Sequence, residues 1–149
     1  MRLSQMQDIA GCRIIVDDTL VQDAVVSRLA TMYPSTTLDR RDNPSHGYRA
    51  VHIIVRPKKR PVEIQVRTVL QHLWAELSEK AADTFGIDIK YGGGRKTVRE
   101  ALDRASETVA SFERLEAKKK DQIDDRVAVL RNDIESNLLE FLAAVKEPK

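Results

Sequence analysis

NPSHGYRAVHIIVRPKKRPVEIQVRT, residues 43–68, is the stretch whose reading decides the fold. In a strand successive side chains alternate between faces, so Arg49, Val51, Ile53 and Val55 share one side and Ala50, His52, Ile54 and Arg56 the other. The charged run PKKRP, 57–61, then reads as a turn and Val62 to Thr68 as the returning strand of a hairpin. There Val62, Ile64 and Val66 alternate with Glu63, Gln65 and Arg67, giving one apolar face and one that carries a carboxylate, an amide and a guanidinium. A half-buried antiparallel sheet with its polar face in water is the ordinary account of such a pattern. Two residues weigh against it. Tyr48 stands at the mouth of the first strand, and His52 follows four residues later on the same face. A tyrosine, a histidine, a glutamate and a glutamine on neighbouring strands offer a stacking surface, a switchable donor, an acid/base or metal ligand and an amide reader, which is the content of a nucleotide pocket.

Working outward, DIAGCRIIVD at 8–17 turns apolar after a glycine and predicts a further strand, with Asp17, Asp18 and Thr19 as candidate N-caps for a helix. That helix carries Leu20, Ala24, Val25, Val26, Leu29 and Met32 and stops near Pro34. Thr36 to Leu38 predict a short edge strand, and Asp39 to His46 a polar loop. After the hairpin, Thr68 caps a helix that gathers Leu70, Leu73, Trp74, Leu77 and Ala81 on one face and His72, Glu76 and Glu79 on the other. His72 and Glu76 stand at i and i+4, but two ligands without a third read as an exposed pair, not a metal site. The segment FGIDIKYGGGR at 85–95 follows a helix and has no Lys-Ser/Thr sequel, so its glycines predict a flexible linker, not a phosphate loop.

Thr97 to Glu147 hold neither Gly nor Pro. Val98, Leu102, Ala105, Val109 and Phe112 step by four and three, as do Ile123, Val127, Leu130, Ile134, Leu138 and Phe141. One unbroken helix would be roughly 75 Å long, too long for a core of this size. Asp121 followed by Asp124 favours two helices joined near Lys118 to Gln122. The stripe needs a partner, and self-association through these C-terminal helices is the simplest one. The expected organisation is a core at 1–84, a Gly-rich linker at 85–96 and a helical tail at 97–147, serving as an oligomerisation element.

The bulk properties exclude more than they specify. A 149-residue chain with 42% hydrophobic and 32% charged residues is ordinary for a folded domain. A net charge of +2 gives no strong nucleic-acid signal, and the basic runs 40–41, 58–60 and 118–120 read as solvated turns or helix faces. Cys12, beside Ile14 to Val16, reads as a buried strand thiol. No segment has the length and apolarity of a membrane span and the start lacks an apolar signal core, so the expected compartment is cytoplasmic.

Three ordered motifs, Asp8-Ile-Ala-Gly-Cys-Arg13, Gly47-Tyr48-Arg49-Ala-Val-His52 and Glu63-Ile-Gln65-Val-Arg67-Thr68, resemble the RelA/SpoT-type alarmone synthetases, closest to the small single-domain members. The resemblance covers roughly residues 5–80 and implies an α/β, nucleotidyltransferase-like mixed sheet flanked by helices, here with a long C-terminal helix or helical hairpin. It implies transfer of pyrophosphate from ATP to the 3′-hydroxyl of GDP or GTP with Mg²⁺. On this pattern Tyr48 stacks on guanine, Asp8 and Glu63 are the catalytic and metal-binding carboxylates, His52 and Gln65 hold the guanine nucleotide, and Arg13 stacks on adenine. Family members carry several dozen residues, including a basic ATP-binding segment, ahead of the strand that begins here at Asp8; this chain has seven. The lysine that many members place before the tyrosine is Pro44 here. The expectation is therefore a truncated homologue, catalytically inactive, retaining part of the guanine-nucleotide site. An active pyrophosphokinase and a helical interaction module stand as alternatives.

Overall fold

A computed structural model describes residues 11–119 and 125–145. Four strands, β1 (Gly11–Val16), β2 (Ser35–Asp39), β3 (Val51–Val55) and β4 (Val62–Thr68), form one sheet in the order β1-β4-β3-β2. β1 runs parallel to β4, whereas β2/β3 and β3/β4 are antiparallel, so the sheet is mixed as expected. The expected hairpin is β3–β4, and PKKRP closes it through a 3₁₀ turn in which Lys58 and Lys59 take positive φ.

The apolar face of the hairpin is the sheet's core face. Val16, Ile53, Val55, Ile64 and Val66 pack there with Val25, Val26 and Leu29 of α1 (Thr19–Met32). Asp18 is the N-cap, its Oδ1 accepting from the N–H groups of Leu20 and Val21 at 2.8 Å each. The deepest residue of α1 is polar: Gln22 is fully buried, and its Nε2 donates to the Val66 carbonyl at 2.8 Å and to Gln71 Oε1 at 2.9 Å.

α2 (Val69–Phe85) leaves the sheet directly at the end of β4, capped reciprocally by Thr68 and Gln71. With α3 (Lys96–Lys118) and α4 (Asp125–Ala144) it builds a second core around Leu70, Trp74, Leu77, Leu102, Val109, Phe112, Ile134 and Leu138. The described tail is two helices, one ending at Lys118 and the next beginning at Asp125; Asp121, Gln122, Ile123 and Asp124, on which the expected join rests, lie outside the described residues. The stripe finds much of its cover inside the chain. Leu115, Val129, Leu130, Leu139 and Phe141 stay exposed.

Three local expectations change. Residues 87–91 form a 3₁₀ turn whose Ile89 is buried in the helical core, so the glycine-rich stretch is a packed connection and not a free linker. Gly92 takes φ +77, and a Cβ there would lie 2.7 Å from His46 Nδ1, which is why glycine composition here reports close packing. Cys12 is exposed, on a strand that among the described residues stands at the edge of the sheet. His72 and Glu76 are a half-buried pair, 3.8 Å apart, with Glu76 also 3.5 Å from Arg13, so this face of α2 turns toward β1 instead of open solvent.

Candidate functional site

The register places the polar residues in rows. Arg13 of β1 pairs with Gln65 of β4, Gln65 with His52 of β3, and His52 with Leu38 of β2; two residues along, on the same face, Gly11 pairs with Glu63 and Glu63 with Ile54. The odd residues of β1 therefore share a face with Glu63, Gln65 and Arg67. Four sequence-predicted residues, Arg13, His52, Glu63 and Gln65, come together on it. Tyr48, on the loop before β3, closes over the same face. Asp8 lies outside the described residues.

A hydrogen-bond chain ties the site. Arg67 Nη2 is 3.0 Å from Tyr48 Oη, Tyr48 Oη is 3.0 Å from His52 Nε2, and His52 Nδ1 is 2.6 Å from Glu63 Oε1. A guanidinium only donates and an ionised carboxylate only accepts. Arg67 therefore donates to Tyr48 Oη, and against an ionised Glu63 the proton of the last link sits on His52 Nδ1; the direction of the Tyr48–His52 link follows the state of the imidazole. Arg67 also donates to Gln65 Oε1 at 2.9 Å and lies 5.0 Å from the Tyr48 ring centroid, where the π face meets the cation. Its Nε and Nη1 are buried and have no hydrogen-bond partner among the described residues. Leaving donors unsatisfied costs about 1–3 kcal/mol each, so these two call for a partner such as water or a bound anion.

A cavity of about 220 Å³ opens beside this chain, lined by Tyr48, His46, Trp74, Ser78, Glu79 and Lys90. Elsewhere on α2, where Glu76 meets Arg13, burial lowers the pKa of His72; the nearby Glu76 opposes the shift and the Arg13 and Arg67 charges add to it. Glu63 is half-buried with Oε1 held by His52, and no group of three or more metal-ligating side chains gathers among the described residues. A hard cation there would take one carboxylate oxygen from Glu63 and most of its remaining oxygens from phosphate and water.

Arg49, which motif reading named without a role, and Ser106, which it did not name, are buried polar residues that bond each other beside Tyr48. Both had a signal. Arg49 falls on the apolar parity of its strand, and Ser106 sits on the helical stripe, four residues after Leu102 and three before Val109. A polar residue at a core position implies a partner.

A mixed four-stranded sheet flanked by helices is the architecture of a nucleotidyltransferase-like α/β domain. Residues 1–85 match the family model described as the region found in RelA / SpoT proteins, and the chain belongs to that family. It is 32% identical over 127 residues to a GTP pyrophosphokinase of Bacillus subtilis, a match covering 74% of this chain and 56% of that protein. It is 42% identical over 95 residues to an uncharacterized protein of Mycobacterium tuberculosis, covering 61% of this chain and 35% of that one. The chain thus spans between about a third and just over half of these relatives. Among solved structures it is similar to small alarmone synthetase 1 of B. subtilis bound to its product pppGpp, with TM-score 0.63 and 26% identity over 81% of this chain and 66% of that one. Small alarmone synthetase 2 of B. subtilis shares the fold at TM-score 0.61 and 23% identity, covering 83% of this chain and 72% of that one.

Proposed function

We propose that these residues form the guanine-nucleotide acceptor side of a (p)ppGpp-synthetase site, and that this chain by itself holds the nucleotide without turning it over. The observation that carries the first half is the hydrogen-bond chain from Arg67 through Tyr48 and His52 to Glu63, which links a stacking ring to a carboxylate on one open face. Tyr48 stacks on the guanine, whose donor edge suits the Glu79 carboxylate and whose O6 suits the Lys90 ammonium in the adjoining cavity. His52 and Gln65 reach the ribose and phosphate, and Glu63 stands where a base for the 3′-hydroxyl would have to stand in the active reading. Glu63, with Asp8, is the oxygen donor for Mg²⁺, which when bound neutralises phosphate charge. Arg13 supplies a guanidinium plane for adenine.

Support for the second half lies in how the cations of this face are committed. Phosphoryl transfer depends on charge neutralisation and positioning, and here Arg13 is paired with Glu76 while Arg67 spends Nη2 on Tyr48 and Gln65 and keeps only its buried Nε and Nη1 without a partner among the described residues. The rival reading, an active pyrophosphokinase, is favoured by the placement of His52 against Glu63, which orients a base.

One pair of measurements separates them. GDP at a hundredfold excess over its Kd should add about 2.7 kcal/mol of stability, a shift of several degrees in Tm. Incubation with ATP, GDP and Mg²⁺ should yield no (p)ppGpp. Product that disappears in Glu63→Gln would establish the active reading instead, and a Tm unmoved by GDP or GTP would remove the nucleotide site. The exposed Leu115, Leu130 and Phe141 we read as a face for a second copy of the chain, and a monomer mass by sedimentation would overturn that assignment.

A further inference from the structure

Tyr48 precedes the regular ladder of β3. Its own loop gives it only the Ser45–Tyr48 bridge, with N···O distances of 3.2 and 3.0 Å. What fixes the residues on either side of it comes from a helix more than fifty positions later in the chain. Ser106 Oγ on α3 donates to the Gly47 carbonyl at 2.6 Å and accepts from Arg49 Nε at 3.0 Å. Its one proton and one of its lone pairs are thus spent on the two neighbours of Tyr48. Arg49 also donates to Glu107 of α3 and to the Arg41 carbonyl, so its guanidinium joins the helix to the start of the loop. Ser106 is 2% and Arg49 4% exposed, so neither bond is exchanged freely with water. Gly47 has φ +83 and lies against Trp74, whose indole N–H donates to the Leu102 carbonyl of the same helix at 2.8 Å.

We propose that Ser106 and Glu107 are positioning residues of the nucleotide site, setting through Gly47 and Arg49 the angle at which the Tyr48 ring meets a base. This rests on the reading of Tyr48 as the stacking residue. A stacked ring loses most of its contact when tilted, so the orientation of the 47–49 backbone governs affinity even though α3 touches no nucleotide. The helix is then part of the binding site.

Two arms test this with the full chain. The first needs no nucleotide: in Ser106→Ala, amide hydrogen exchange across 45–49 should accelerate about tenfold while α2 keeps its protection, as local opening at one loop predicts. The exposed Glu107→Gln, which keeps side-chain size and fold, should do the same to a smaller degree. In the second arm, Ser106→Ala should weaken GDP binding by calorimetry roughly tenfold with Tyr48 present and by less than about twofold in a Tyr48→Ala background, the signature of coupled residues. Unchanged exchange in both α3 variants, or equal losses in the two backgrounds, would overturn the positioning role. A wild-type chain that binds no GDP would overturn the nucleotide reading on which it rests, while the exchange arm would still report whether α3 holds the loop.

Discussion

A methyl group added at Gly47 would come within 2.7 Å of the Trp74 ring, on a residue whose φ of +83 disfavours any side chain. Gly47→Ala should therefore destabilise the fold by about 1–3 kcal/mol, read as a lower Tm, since sterics and backbone strain act together. Tyr48→Ala is expected to behave in the opposite sense: modest in a melt, large in binding. Base–aromatic stacking contributes about 1–3 kcal/mol, so GDP affinity measured by calorimetry should fall roughly 5- to 150-fold. At this scale the sequence was most informative. Tyr48, His52, Glu63 and Gln65 share a face because strand parity puts them there, and parity is a local property. The link from Arg67 to Tyr48, the exposure of Cys12 and the packing of Gly92 on His46 were not legible, because each depends on which strand or loop becomes a neighbour.

Among the elements, the junction of α1, β4, α2 and α3 holds a buried polar network. Gln22 donates to Gln71, Gln71 to Glu113 at 2.9 Å, and Thr68 Oγ1 also to Glu113. Burial raises the pKa of Glu113, against the pull of those two donors, with Glu116 adding to the rise and Arg131 opposing it. An acid whose folded pKa is raised confers stability that is whole below its ordinary value of 4.5 and is lost as pH rises through the folded value. Glu113→Gln should flatten that fall, checked by comparing the Tm of the two proteins across the range above 4.5. The capping residues Thr68 and Asp18 could be read directly, since a cap is a contact within three residues. Glu113 could not: its partners stand 42 and 45 positions away, and a glutamate on a helix looks solvated until that distance closes.

For the molecule as a whole, the second core decides whether the C-terminal helices are an appendage. Ile134 and Leu138 of α4 are buried against α2 and α3, and Arg131 holds Glu116 at 2.8 and 2.5 Å. Leu138→Ala should cost about 2–5 kcal/mol of global stability in a denaturant titration, whereas a helix merely appended would give a loss confined to itself. The expectation of a helical tail seeking a partner captured its periodicity but not its first partner. A repeat of four and three states that a stripe must be covered, and leaves open by what.

The order of strands carries a last consequence, for time instead of space. β1 has β4 as its sole neighbour among the described strands, about fifty residues later, and that pairing is parallel. Residues 35–118, by contrast, contain β2, β3, β4, α2 and α3 as one continuous run, with Tyr48, His52, Glu63 and the helix that holds their loop all inside it. Distant pairings close late and edge strands open early. The strand bearing Arg13 should therefore be the last to join the sheet and the first to peel away, visible as the weakest amide protection in the sheet.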